Sequence, residues 1–141
     1  MPERFAQATW EGSLREGRGT MKIGDGFFEG PFSFASRFEE GAGTNPEELI
    51  GAAHAGCFSM AFSADLGRAG FTPKRVSTKA TVYLGKVDGK SRITKIHLDM
   101  EAEVSGIDQE TFMKIAEGAK VGCPVSNALT GVEITLSARL V

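Results

Sequence analysis

A long helix with a clear start signal is the feature that most constrains the fold of this chain. The run Thr44-Asn45-Pro46-Glu47-Glu48 combines capping residues, a proline suited to the first helical position and two first-turn acids. Thr44 with Glu47, or Asn45 with Glu48, has the spacing of a capping box. These signals predict a helix that begins here and ends near Gly67 or Gly70.

The composition of this predicted helix suggests where it lies. Its middle turns are apolar on nearly every side, which favours a helix buried centrally over one lying on a surface. Small residues such as Gly51, Ala52, Ala55 and Gly56 would let another backbone approach closely. We therefore expect this helix to be the centre of the fold.

Strand patterns flank the helix on both sides. Alternating or glycine-punctuated runs predict β-structure over residues 8–12, 17–23, 32–38, 76–84, 93–104 and 132–140. Asp88 and Gly89 supply a hairpin turn, Asp108 caps a second helix, and Cys123-Pro124 opens a short helical turn to Leu129. Strands around one buried helix predict an α+β fold with antiparallel strands, formed by a single domain over residues 1–141.

Charge and composition exclude several classes of protein. The 16 basic and 18 acidic residues give a net charge of −2, so no basic surface for nucleic acid is expected. The start of the chain has no apolar segment behind a basic one, which argues against a secretory signal. The apolar stretch from Leu49 to Phe62 is interrupted and falls short of the ~20 residues that cross a bilayer. We expect a cytoplasmic protein without a membrane partner.

Two cysteines, Cys57 and Cys123, carry the chemical interest of the sequence. Two are too few for a disulfide scaffold, and their spacing fits no zinc site, so no metal is expected. The sequence also has no P-loop or dinucleotide-binding motif, so no cofactor is expected. In a reducing compartment such a pair is catalytic, redox-active or simply buried.

The local environments of the two cysteines differ. Cys57 lies in mid-helix, too far from the helix start for the dipole to stabilise a thiolate, so it needs a cation from elsewhere. Cys123 precedes Pro124 at a helix start, where free backbone N–H groups favour a thiolate. Helix position alone therefore favours Cys123 as the nucleophile. For each cysteine the alternative is a structural residue without chemistry.

Four further residues are candidates for a site around these cysteines. His54 shares a helix face with Cys57, either as a catalytic partner or as a satisfied core histidine. Glu47 complements the helix dipole, and ten residues place it about 15 Å from Cys57 along one helix. The two can share a site only through a connecting group or a second copy of the helix. Arg18 and Arg37 lie among the N-terminal strands, where the alternative is a solvated strand edge.

The motifs around the two cysteines resemble those of a known family. Residues 44–60, which include Cys57, closely resemble the central-helix motif of the OsmC/Ohr family. Residues 122–126, which include Cys123, resemble its second cysteine motif, and the similarity runs nearly end to end. His54 in the helix, with Arg37-Phe38 just upstream, resembles the osmotically inducible OsmC branch.

The resemblance implies a thiol peroxidase that reduces organic hydroperoxides in oxidative and osmotic stress defence. It implies an intertwined homodimer with sites at the interface and a lipoyl-type dithiol as reductant. Cys57 is then the peroxidatic thiolate and Cys123 the resolving cysteine, joined in a disulfide after sulfenic acid formation. Arg37 would stabilise the thiolate and Glu47 would hold the arginine, with Arg18 as a second candidate.

Two further expectations concern substrate and function class. Apolar neighbours such as Phe58, Met60 and Phe62 would favour alkyl hydroperoxides over hydrogen peroxide. The alternative to an enzyme is a dimer that binds a small molecule or senses redox state without turnover.

Overall fold

The computed structural model describes all 141 residues, which form two compact units. The first unit is Met1–Leu49 and the second is Ile50–Val141. The long helix begins in the first unit and continues in the second. That residues 1–141 act as a single domain stays a prediction.

The first unit contains a three-stranded antiparallel sheet. Its strands pair in the order β1 (Ala6–Glu11), β2 (Arg18–Ile23) and β3 (Phe28–Phe32). Gly19 lies between the rings of Trp10 and Phe32, whose centroids are 5.3 Å apart. A Cβ at Gly19 would come within 2.6 Å of both rings, so this position requires glycine.

The prediction of a strand over residues 32–38 is wrong beyond Phe32. Residues Phe34–Phe38 form a short helix, α1, which carries Arg37. The Ser33 hydroxyl accepts from the Ser36 N–H, and the Ser36 side chain accepts from the Ser33 N–H, which completes a capping box. Alternating aromatic residues suggested a strand, but these two serines start a helix.

The predicted long helix is confirmed as α2, Pro46–Arg68. Of the two pairs proposed for a capping box, Asn45 with Glu48 makes one half, since the Asn45 side chain accepts from the Glu48 N–H at 2.8 Å, while the Glu48 carboxylate accepts from the Thr44 hydroxyl. At the other end, Gly70 adopts a φ of +92°, and the Phe71 N–H donates to the Leu66 carbonyl. This is the Schellman arrangement that glycine permits after a helix.

The second unit contains a three-stranded sheet and two more helices. β4 (Pro73–Val87) and β5 (Lys90–Val104) form the predicted hairpin, with positive φ at Asp88 and Gly89 in its turn. Then follow α3 (Gln109–Gly122), capped by Asp108 as predicted, α4 (Pro124–Ala128) and β6 (Glu133–Leu140).

The last strand departs from the expectation of antiparallel pairing. β6 lies beside β5 and runs parallel to it. The reason is topological, because α3 and α4 form a crossover that returns the chain to the beginning of β5.

The core of the second unit lies between its sheet and its helices. Its fully buried members include Phe58 and Phe62 of α2, Phe112 of α3, and Leu98 and Met100 of β5. The Phe58 and Phe62 rings stack at 6.1 Å, and Phe62 meets Phe112 edge to face at 5.4 Å. Gly51 brings α2 close to β4, where an added Cβ would lie 3.3 Å from Val82.

Within a single chain, α2 is buried on one face only. Its buried positions share one helical stripe: Glu47, Gly51, His54, Phe58, Phe62 and Leu66. The opposite stripe, which contains Ala52, Ala53, Gly56 and Met60, is exposed. By length and composition alone, helix α2 could cross a membrane. The core helix of a protein can have the same length and composition, so this property does not indicate a membrane span.

Candidate redox site

The structure brings Cys57 and Cys123 together although 66 positions separate them. The two Sγ atoms are 2.9 Å apart, and both side chains are free thiols. Cys57 lies on α2, while Cys123 is the junction residue between α3 and α4. Because the two sulfurs are already in contact, this pair can form a disulfide with a small side-chain movement.

The two thiols differ in their tendency to ionise. Burial raises the pKa of Cys57, and the hydrogen bond with Cys123 raises it further, against a smaller opposing effect of the Val125 N–H. For Cys123 burial also disfavours the thiolate, but the hydrogen bond with Cys57 and the Ser126 N–H and hydroxyl lower its pKa overall. The local environment therefore favours a thiolate on Cys123, as its position at a helix start suggests.

The two thiols also differ in exposure. Cys123 is 0% exposed, whereas Cys57 is only partly buried. A molecule that arrives from solvent therefore meets Cys57 before Cys123. Exposure and ionisation thus favour different cysteines for the first attack.

His54 does not pair with Cys57, although both lie on α2 three residues apart. Its Nε2 is 2.7 Å from the hydroxyl of Ser126 on α4, and both residues are buried. Its Nδ1 is buried without a hydrogen-bond partner, and burial lowers the pKa of the ring. Sequence reasoning missed Ser126. The available signal was its position three residues after Cys123, which matches the spacing of His54 and Cys57.

Arg37 and Glu47 form a bidentate ion pair in the first unit. Arg37 Nε and Nη2 donate to the two Glu47 carboxylate oxygens, each at 3.0 Å, and the Glu47 side chain is 10% exposed. This two-point contact fixes the plane of the guanidinium group. Hydrogen bonds from Ser36 and Asn45 hold α1 against the start of α2 and so position the pair.

Arg18, the second arginine candidate, has a different environment. Its Nε lies 4.0 Å from Glu11, and its side chain is 84% exposed. An ion pair this exposed does little to hold the arginine side chain in place, because solvent screens the interaction. The structure therefore gives a rigid arginine at position 37 and a solvated one at position 18.

An apolar cavity of about 210 Å³ lies beside Arg37 in the first unit. The side chains around it are mostly aromatic or aliphatic: Trp10, Leu14, Phe32, Phe34 and Phe38. Of the three apolar neighbours of Cys57 expected to favour alkyl hydroperoxides, Phe58 and Phe62 are fully buried in the core and Met60 is exposed. No group of three or more His, Cys, Asp or Glu side chains lies close enough together to hold a metal ion.

Comparison with known proteins identifies the family. Residues 39–137 match the sequence model of the OsmC-like proteins. The chain is 54% identical over 135 residues to peroxiredoxin OsmC of Escherichia coli (strain K12), covering 95% of this chain and 94% of that protein. The chain belongs to the OsmC family.

A more distant relative and a solved structure extend this OsmC-family assignment. The organic hydroperoxide resistance protein of Xanthomonas axonopodis pv. citri (strain 306) is 32% identical over 99 residues, covering 69% of this chain and 68% of that one. The crystal structure of an organic hydroperoxide resistance protein OsmC from Legionella pneumophila superposes with a TM-score of 0.74 at 26% identity, covering 97% of each chain. The predicted α+β, OsmC-like fold is confirmed.

The buried His54 predicts a specific pH dependence of stability. Its folded pKa lies below the ordinary value, so the unfolded chain binds more protons once the pH falls below about 6.5. We expect the free energy of unfolding to fall there, by at most about 1.4 kcal/mol per pH unit, beyond the loss due to carboxyl groups.

Urea unfolding at pH values of about 7.5 and 5.5 measures this loss. His54→Gln should remove the extra loss, whereas His97→Gln, at the other histidine, should retain it. An unchanged pH dependence in His54→Gln would contradict the assignment.

Proposed function

We propose that this OsmC-family chain is a thiol peroxidase that reduces organic hydroperoxides with Cys57 and Cys123. The observation that supports this most directly is the 2.9 Å contact between the two sulfurs. The names of the relatives, a peroxiredoxin and an organic hydroperoxide resistance protein, agree with it.

The reaction has three steps. The Cys57 thiolate attacks the terminal oxygen of the hydroperoxide, the O–O bond breaks, and the alkoxide leaves and takes up a proton as an alcohol. Cys123 then attacks the resulting Cys57 sulfenic acid, so that the S–S bond forms and the hydroxyl group departs as water. A dithiol reductant, which we propose to be of lipoyl type, is oxidised to its disulfide and restores both thiols. Because this step needs a reducing compartment, we place the reaction in the cytoplasm.

The properties of the two thiols suit this order of events. Cys57 is the more accessible cysteine, and Cys123 is buried in contact with it. A resolving cysteine benefits from a lowered pKa, since the thiolate attacks the sulfenic acid and is also the better leaving group when the disulfide is reduced. The lowered pKa of Cys123 is therefore compatible with resolution and does not require it to be the first nucleophile.

Cys57 needs a cation to ionise, and Arg37 is the candidate. Burial raises the pKa of Cys57, so its thiolate requires a nearby positive charge. Arg37 is held by a buried carboxylate in a fixed orientation and lines an apolar cavity. We propose that Glu47 holds Arg37 for this purpose and that the cavity receives the alkyl part of the substrate.

We propose that the site is completed in an intertwined homodimer. Glu47 and Cys57 are ten residues apart on one helix, about 15 Å by the helical rise, so Arg37 and Glu47 of one chain would serve Cys57 of its partner. The exposed stripe of α2 supports this arrangement, since its small residues allow a close approach and Met60 is 77% exposed. The first unit also has exposed aromatic side chains, such as Phe27, Phe28 and Phe38. They provide a further apolar surface for contact with the partner chain.

Steady-state consumption of an alkyl hydroperoxide with a dithiol tests the peroxidase. Wild-type protein should turn over, and Cys57→Ala should lose all activity. Arg37→Ala should lower kcat/KM about tenfold or more, because a pKa higher by one removes nine-tenths of the thiolate. Arg18→Ala is the matched control and should stay within about twofold, as expected for an exposed pair. Wild-type protein that forms the disulfide without turnover would instead be a redox sensor.

The dimer is tested by a charge on the exposed stripe of α2. Met60→Glu should give a monomer, because a carboxylate without a partner in an apolar interface costs several kcal/mol. Light scattering should report twice the 15.0 kDa chain mass for wild type and for the control Val121→Glu, an exposed residue on α3. A wild-type monomer with full turnover would contradict the shared site.

A further inference from the structure

Two contacts join α2 to α4 side by side. One is the pair of thiols, Cys57 with Cys123, and the other is His54 with Ser126. His54 precedes Cys57 by three residues on α2, and Ser126 follows Cys123 by three residues around the start of α4. Since residues three apart are neighbours on a helix surface, the second contact lies one turn away from the first.

The surroundings of His54 identify which of its nitrogens carries the proton. The side chain is 0% exposed, its Nε2 is 2.7 Å from the Ser126 hydroxyl, and its Nδ1 has no partner. A neutral imidazole has one donor and one acceptor nitrogen. A proton on Nδ1 would leave a buried N–H donor unpaired, which is rarer in proteins than an unpaired acceptor. We therefore assign the proton to Nε2, which donates to the Ser126 oxygen.

This assignment leaves the Ser126 hydroxyl hydrogen free to donate to a second group. Cys123 is the N-cap residue of α4 and Ser126 is at the third helical position, from which a side chain can reach back toward the N-cap residue. Ser126 is itself buried, so solvent does not compete for this hydrogen. The lowered pKa of Cys123, to which the Ser126 hydroxyl contributes, agrees with this direction.

We propose that His54 is a positioning residue that orients the Ser126 hydroxyl to donate to Cys123 Sγ and so stabilises the Cys123 thiolate. The effect of His54 on turnover rests on the proposed peroxidase function, but its effect on the Cys123 thiolate does not. In that cycle the thiolate attacks Cys57 sulfenic acid, the S–O bond breaks, and the departing hydroxide takes up a proton to become water. The same donated hydrogen bond stabilises Cys123 as the leaving group when the reductant attacks Cys57.

The pKa of Cys123 tests this role independently of any peroxidase activity. It is measured in Cys57→Ala protein from the ultraviolet absorbance of the thiolate as the pH is raised. A hydrogen bond to a charged group predicts that Ser126→Ala raises the pKa by about one, a tenfold change in proton affinity. His54→Leu should raise it in the same direction. His54→Gln, whose amide N–H can replace Nε2–H, should restore most of the wild-type value.

Matched controls separate this effect from a general loosening of the fold. Ser59→Ala removes a hydroxyl on α2 that bonds Thr78 at 2.8 Å, and His97→Leu removes the other histidine. Both should leave the pKa of Cys123 unchanged. A Cys123 pKa that is unchanged in folded Ser126→Ala would overturn the proposal. Equal values in Ser126→Ala and His54→Gln would overturn the part played by His54.

The second readout is the rate of disulfide formation in protein with both cysteines. After one equivalent of an alkyl hydroperoxide, Ser126→Ala should close the disulfide about tenfold more slowly, with sulfenic acid formation unchanged. If wild-type protein shows no turnover with any dithiol, the peroxidase proposal fails, and the pKa measurement still decides the role of His54.

Discussion

The packing of one face of α2 into the core determines the rest of the redox site. Phe58, Phe62 and Leu66 are fully buried, and the Phe62 ring is fixed against Phe112 of α3. This contact sets the rotation of α2 about its axis, and Cys57, the residue before Phe58, consequently lies at the edge of the buried face. His54, one turn earlier on that face, is then directed to α4. A different rotation of α2 would separate both pairs at once.

In the proposed reaction the two cysteines meet different requirements. A peroxidatic thiol must be reached by substrate, and Cys57 is the accessible member of the pair. A resolving thiol must react only with the sulfur beside it, and Cys123 is buried at 2.9 Å from Cys57. The hydrogen bond with Cys57, the backbone N–H groups and the Ser126 hydroxyl lower the pKa of Cys123, whereas burial raises the pKa of Cys57, for which we propose a guanidinium group as the activating cation.

Local signals in the sequence predicted much of the fold. Asn45, Asp108 and the Asp88-Gly89 turn act over three or four residues, so their roles could be identified without tertiary information. The alternating aromatic pattern led to a wrong strand prediction at residues 34–38. There the capping box of Ser33 and Ser36 starts a helix despite the β-propensity of the aromatic residues. The parallel pairing of β6 depends on how the crossover returns, which no local pattern encodes.

The candidate site was less predictable from the sequence than the fold. The two cysteines were identifiable, but their contact depends on the packing of α2 against α4, 66 positions away. Ser126 carries no distinctive motif, so its contact with His54 became visible only in three dimensions. The bidentate contact of Arg37 with Glu47 likewise needs α1, the helix that the sequence did not predict.

Identification of the cysteine that is oxidised first tests the central claim most directly. Cys123→Ala and Cys57→Ala proteins are each treated with one equivalent of an alkyl hydroperoxide, and the sulfenic acid is trapped with a dione reagent and located by peptide mass spectrometry. Our account predicts rapid trapping on Cys57 in Cys123→Ala and little on Cys123 in Cys57→Ala. Faster trapping on Cys123 would contradict it and would make the buried, more acidic thiol the nucleophile.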